Sequence, residues 1–126
     1  MKRMILFFAM ASLVSGCATV RTLPGTADVK IEGHEVVETV EVSNTCWEFF
    51  SCLPIASGDV ENPNGCWCIW FSDTETLANQ MKMLEAEAAR VGASRALSVT
   101  TVTTDEVWIP ILFLIEKIHT SAVLIK

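Results

Sequence analysis

The sequence predicts an α+β domain: a small antiparallel or mixed sheet of about four strands packed on one amphipathic helix, with an irregular disulfide-bearing hairpin. Three observations predict it. Residues 31–42 are rich in Val and Glu with an alternating, β-branched pattern, and residues 93–104 are rich in Thr and Val, the composition of strands. Leu77, Met81, Leu84, Ala88 and Val91 recur at spacings of four and three, the stripe of a helix buried on one side, spanning about 73–91. Cys46, Cys52, Cys66 and Cys68 bracket a turn-rich polar stretch. With 51% hydrophobic and 19% charged residues the chain has enough apolar surface for a packed core.

The first segment is a targeting signal rather than part of that domain. Lys2 and Arg3 supply positive charge, and residues 4–14 form an apolar stretch of signal-peptide length, far below the ~20 residues needed to cross a bilayer. Val14-Ser15-Gly16-Cys17 follows, and it resembles the bacterial lipobox: an aliphatic residue, two small ones, then a cysteine. The resemblance implies that residues 1–16 are removed and that Cys17 becomes the lipid-modified first residue. The competing reading is a plain signal peptide with a coincidental cysteine. Each buried methylene of an acyl anchor contributes about 0.8 kcal/mol, so an anchor with several chains is effectively permanent. Lipoprotein sorting further implies a place in the bacterial cell envelope. Ala18 rather than Asp after the cysteine points to the outer membrane of a Gram-negative host, facing the periplasm.

The 110 residues after the signal suit one domain, expected over 31–126, with 17–30 as a lipidated flexible tether containing Pro24 and Gly25. They carry seven basic and fifteen acidic groups, a formal charge of −8, and the basic groups form no run. A nucleic-acid partner is therefore not expected, because phosphate backbones are bound by clustered cations. The acidic balance suits a cationic partner, or simply solubility near an anionic surface.

Along the domain, the strand over 31–42 sets Val36, Val40 and Val42 on one face and Glu35, Val37, Thr39 and Glu41 on the other. Glu38 falls on the Val face, which predicts a bulge or an edge position there. Residues 46–52 and 66–71 read as two aromatic arms of an irregular hairpin, joined by a polar loop with Gly58, Asp59, Asn62 and Gly65. Trp47, Trp67 and Trp70, with Trp108 further on, are either core or an exposed contact patch. Ser72-Asp73-Thr74-Glu75 has the form of a capping box opening the helix, and Gly92 its left-handed stop. A Thr- and Val-rich strand follows over 93–104, and Asp105-Glu106 reads as a turn. Residues 108–115 are either a buried segment or an apolar hairpin tip, and 117–126 a last strand.

With Cys17 lipidated, four cysteines remain in an oxidising compartment, and two disulfides are the expectation. Cys66 and Cys68 are too close to join each other, so each pairs with Cys46 or Cys52. The first choice is Cys46 with Cys68 and Cys52 with Cys66, then the crossed alternative. The same four residues could form a thiolate metal site or a redox module, although their spacing is not that of paired zinc knuckles. His34 beside Glu32, Glu35 and Glu38 imitates a metal site, but alternating charge on a strand is more often a solvated face. His119, Ser121 and Asp105 could compose a hydrolytic trio, but no activated-serine elbow accompanies them. No enzyme activity, cofactor or resident metal is expected.

The helix that runs through Val91-Gly92-Ala93 into a β-rich strand resembles a group of small bacterial α/β proteins. The group includes the outer-membrane lipoprotein that senses envelope stress for the Rcs phosphorelay, together with lipoproteins of unknown function. Residues 72–74 and 119–124 are also similar to uncharacterised lipoproteins. The resemblance supplies no function by itself, and the leading expectation is a non-enzymatic, membrane-anchored protein that acts by contact with an envelope protein, as sensor or structural accessory. Two alternatives stand beside it: an acidic inhibitor of a cationic hydrolase such as lysozyme, and the cysteine-based metal or redox module.

Overall fold

A computed structural model of the chain describes residues 18–24, 30–31, 33–65, 68–109 and 112–126. Among the described residues, seven strands and one helix follow in the order β1 (Thr19–Pro24), β2 (Lys30–Ile31), β3 (His34–Phe49), β4 (Leu53–Gly58), β5 (Cys68–Trp70), α1 (Leu77–Val91), β6 (Arg95–Ile109) and β7 (Phe113–Ile125). All strand pairs are antiparallel. The path across the sheet is β5-β4-β3-β7-β6, and β1 and β2 pair with β3 on the edge it also shares with β4.

This corrects the α+β expectation. The protein is mostly β, a large antiparallel sheet with one 15-residue helix, and the cysteine hairpin is not a separate irregular unit. The expected strand over 31–42 runs to Phe49, because buried Asn44 and Cys46 continue the inward alternation of Val40 and Val42. Asp105 and Glu106 are not a turn. They lie inside β6, opposite Glu116 and Ile115, and Lys117 reaches the Glu106 carboxylate at 3.5 Å. Of the two readings of 108–115 the hairpin holds, with β6 ending at Ile109 and β7 starting at Phe113. The bulge expected at Glu38 is present: the β3–β7 register shifts between Val36 and Glu38. It leaves Glu38 buried on the helix side, where Arg90 meets it at 3.2 Å.

Part of the expected tether is strand instead, and residues 17 and 25–29 of it lie outside the described residues. Thr19–Pro24 is strand β1, from Thr19 opposite Ser43 to Pro24 opposite Glu38. Ala18 is 3% exposed and belongs to the core, with Val40, Val42, Val60, Met83, Leu84, Ala122 and Leu124. Asn64, in the loop after β4, holds the start of β1. Its N–H donates to the Ala18 carbonyl at 2.8 Å, and its side-chain amide exchanges two bonds with the Val20 backbone.

The helix begins later than the capping box predicted. Thr76 is the N-cap, its hydroxyl accepting from the Asn79 N–H. The upstream residues are used to fasten the approach to the helix onto the sheet. Ser57 Oγ donates to the Ser72 carbonyl and Thr74 Oγ1 to the Gly58 carbonyl, each at 2.6 Å. Gly92 stops the helix at φ 68°, as expected, and its N–H and that of Ala93 return to the last turn.

One core position conflicts with its surroundings. Gln80 is fully buried on the helix, and neither its Nε2 nor its Oε1 has a hydrogen-bond partner. An unpaired buried amide costs about 1–3 kcal/mol, and Met fills a similar volume without polar atoms. Gln80→Met is therefore expected to raise stability by that order, read as a higher urea midpoint at unchanged slope. A lower midpoint would show that the amide has a use the fold depends on.

Candidate functional site

The β3–β4 turn and the β6–β7 turn lie side by side at one end of the sheet, tied by the Phe50 N–H donating to the Leu112 carbonyl at 3.1 Å. That end is apolar and open. A cleft of about 630 Å³ is lined by Phe49, Leu53, Pro54, Ile55, Phe71 and Phe113, with no charged side chain. Phe49 stacks obliquely between Phe50 and Phe113, at ring-centroid distances of 4.2 and 5.5 Å, and Trp70 lies 6.5 Å from Phe71. Strand register sets Trp47, Ala56 and Ile115, all buried, on the face that carries Phe49 and Phe113, so the cleft is the outer margin of a second, smaller apolar cluster.

The aromatic rings are displayed at a conformational cost. Phe50 and Ser51, the two central residues of the β3–β4 turn, both have left-handed backbones (φ 54° and 53°), where hairpins ordinarily place Asn and Gly. Phe71 has φ 56°. A bulky residue held there costs on the order of 1–3 kcal/mol, and such strain concentrates at functional positions. The outcome is outward-facing rings: Phe50 is 49% exposed and Phe71 82%.

The opposite face of the same end is acidic. Cys46 faces the helix side, opposite Glu116, which in turn lies opposite Asp105. Glu48 follows on the same face, and Asp73 and Glu75 approach from the segment before the helix. Burial, with Asp73 and Asp105 nearby, raises the Glu48 carboxyl above the usual range, and burial with Asp105, Glu48 and Asp73 does the same at Glu116. Glu75 is pushed up to about 8 by burial and then by Glu116, Asp73, Asp105 and Glu48. Its Oε2 is buried without a hydrogen-bond partner. Burial and the same field push the Cys46 thiol up to about 12, so it stays protonated at neutral pH and is a poor nucleophile or metal ligand.

The residues singled out from the sequence fall as follows. Cys46, Cys52 and Cys68 are free thiols, and no disulfide is present among the described residues. The expected Cys46–Cys68 bridge is corrected by the register. Cys46 lies opposite Ser57 on β4, and Cys68 pairs with Gly58 on the far side of β4, so a whole strand separates them. The bridge from Cys52 to Cys66, the lipidation site Cys17, Trp67 and the Trp108 side chain lie outside the described residues. Trp47 is core and Trp70 is exposed, so the two readings of the tryptophans divide between them. His34 contacts the Lys126 carbonyl at 3.3 Å, while Glu38 is engaged by Arg90. His119, opposite Ser43, and Asp105, opposite Glu116, project from opposite faces, so the trio with Ser121 is not assembled. Among the described residues no cluster of His, Cys, Asp and Glu has the geometry to hold a metal ion.

Burial replaces bridging as the basis for the cysteine variants. Cys46→Ser is expected to cost about 1–3 kcal/mol, since it sets a hydroxyl in a fully buried site, whereas Cys52→Ser on the exposed turn should stay within about 0.5 kcal/mol. Equal, large losses at both positions would restore the disulfide account.

No protein family, curated protein or solved structure matches the chain, so its function is read from its own residues. The residues of the cleft, Phe49, Leu53, Pro54, Ile55, Phe71 and Phe113, and Phe50 beside it, were not singled out by sequence reading. The available signal was Phe50-Ser51 sitting between two strands without the Gly or Asn that a tight turn favours.

Proposed function

We propose that this is a non-enzymatic lipoprotein of the bacterial cell envelope, anchored through Cys17, that works by contact, with the aromatic end of the sheet as its contact surface. The observation that carries the reading is the uncovered apolar cleft of Phe49, Leu53, Pro54, Ile55, Phe71 and Phe113. Monomeric proteins seldom leave such a patch to water unless something docks on it. The lipobox at Cys17 supplies the location, and no helix among the described residues is long and apolar enough to cross a membrane.

The test is fractionation and intact mass of the full chain expressed with its leader. Wild type is expected in the membrane fraction with an acylated N-terminus, and Cys17→Ser in the soluble fraction. Membrane retention of the Cys17→Ser chain, or a mature protein without fatty acid, would overturn the reading. A second reading, inhibition of a cationic hydrolase such as lysozyme, draws on the acidic face formed by Glu48, Asp73, Glu75, Asp105 and Glu116. Salt-sensitive inhibition of lysozyme, lost in a Glu48→Gln, Asp105→Asn double variant, would favour it over the first.

A further inference from the structure

We infer that the aromatic end of the sheet seats in the interface of the same bilayer that holds the lipid anchor, an inference that rests on acylation at Cys17. Three features of the chain converge on this occupant. The first is reach. Ala18 is buried and fixed by Asn64, and it is the residue directly after Cys17, so an anchor there leaves no slack between body and membrane. A peptide step spans only about 3.8 Å. The second is direction. β1 runs antiparallel to β3 with its first residue, Thr19, opposite Ser43, so its start points toward the end of β3 that carries Phe49 and Phe50. Six residues of strand separate the Ser43 register from Phe49, on the order of 20 Å at ~3.3 Å per residue. A bilayer surface touching both lies obliquely across the strands.

The third is chemistry. The cleft lining offers Phe, Leu, Ile and Pro without a charge, with exposed Trp70 beside it, the composition that partitions to the headgroup and acyl boundary. Three carboxylates of the same end, Glu48, Asp105 and Glu116, project from the opposite face of the sheet, so seating the cleft leaves them in water, and Glu106, on the cleft's face opposite Ile115, is paired with Lys117 at 3.5 Å. The left-handed backbones of Phe50 and Phe71 turn exposed rings outward at this end, where a water-facing turn would favour Gly or Asn.

The experiment places the photo-crosslinking residue p-benzoylphenylalanine at Phe50, at Phe71 or at Val102, an exposed control on β6, in the full chain expressed in cells with its leader. Acylation is checked by intact mass, and adducts are identified by mass after irradiation of whole membranes. Phospholipid-mass adducts at Phe50 and Phe71, absent at Val102 and absent in Cys17→Ser, are the expected result. An acylated chain whose Phe50 and Phe71 probes capture a protein overturns the inference while leaving the anchored contact protein standing, and one whose probes capture nothing overturns it and also removes this end as the contact surface. A chain without acylation removes both. Lipid capture that persists in soluble Cys17→Ser would mean that the cleft takes up free lipid and is not seated by the anchor, which also overturns it.

Discussion

Asn44→Ala is expected to cost about 3–5 kcal/mol, against the 5–15 kcal/mol by which a domain of this size is usually stable. Asn44 is fully buried in β3, and its amide joins three segments of chain. Nδ2 donates to the Thr74 carbonyl at 2.8 Å and to Thr74 Oγ1 at 3.1 Å, while Oδ1 accepts from the Gly58 N–H at 3.1 Å and from the Thr45 N–H at 2.9 Å. Truncation leaves the buried Gly58 N–H without this acceptor and opens a cavity beneath the approach to α1. Thr74→Val should lose part of the same energy, because Thr74 Oγ1 also donates to the Gly58 carbonyl. The two substitutions are in one network, so the double variant should cost less than their sum. Urea unfolding of the four proteins measures this, and strictly additive losses would show that the three segments are not held as a unit.

Stability is expected to fall as pH rises from about 5 to about 8, and Glu75→Gln to remove most of that slope. Glu75 is raised in the folded protein from 4.5 to about 8, and Glu48 and Glu116 move in the same direction. A carboxyl with a raised folded-state pKa holds its proton more tightly when folded. Its contribution is therefore greatest below the unfolded value and is lost progressively as pH climbs through the interval to the folded value. Above that interval Glu75 adds its charge to an already acidic cluster. The partial exposure of Glu75 screens the effect, so the expected readout is the sign and position of the slope in melting temperature between pH 5 and 8. Gln keeps the size of the side chain and removes the titration, so Glu75→Gln should melt higher than wild type at pH 8 and nearly level with it at pH 5. A melting temperature that climbs toward pH 8 in the wild type would mean that the five carboxylates are not close enough to repel one another.

Local chemistry made part of the fold legible. Leu84, Ala88 and Val91 line the packed side of α1 as their spacing requires, and Gly92 ends it, because a left-handed residue after a helix favours glycine. Glu38 was readable as a bulge because a charged group cannot keep the inward alternation of its neighbours without a local shift. The helix start was misread because Ser72, Asp73, Thr74 and Glu75 have the pattern of a cap, and nothing in the pattern shows that Asn44 and Gly58 bind Thr74. The turn at Asp105-Glu106 was misread for a related reason: charged residues punctuate isolated chains, but in β6 they lie opposite a full-length partner strand. The candidate site was the least legible. Phe49, Phe71 and Phe113 come from different parts of the chain, and as residue types they read as core.

What the sequence determined by itself is local in character: the acidic balance, the period and stop of the helix, and the β propensity of the β-branched runs. Each of these depends on residues within a few positions of one another. Tertiary structure alone decided that residues 19–24 are a strand rather than a tether, that Cys46 and Cys68 stand on either side of β4, and that one end of the sheet is apolar on one face and acidic on the other. Those outcomes depend on register, and a shift of one residue along an antiparallel partner moves every side chain to the opposite face.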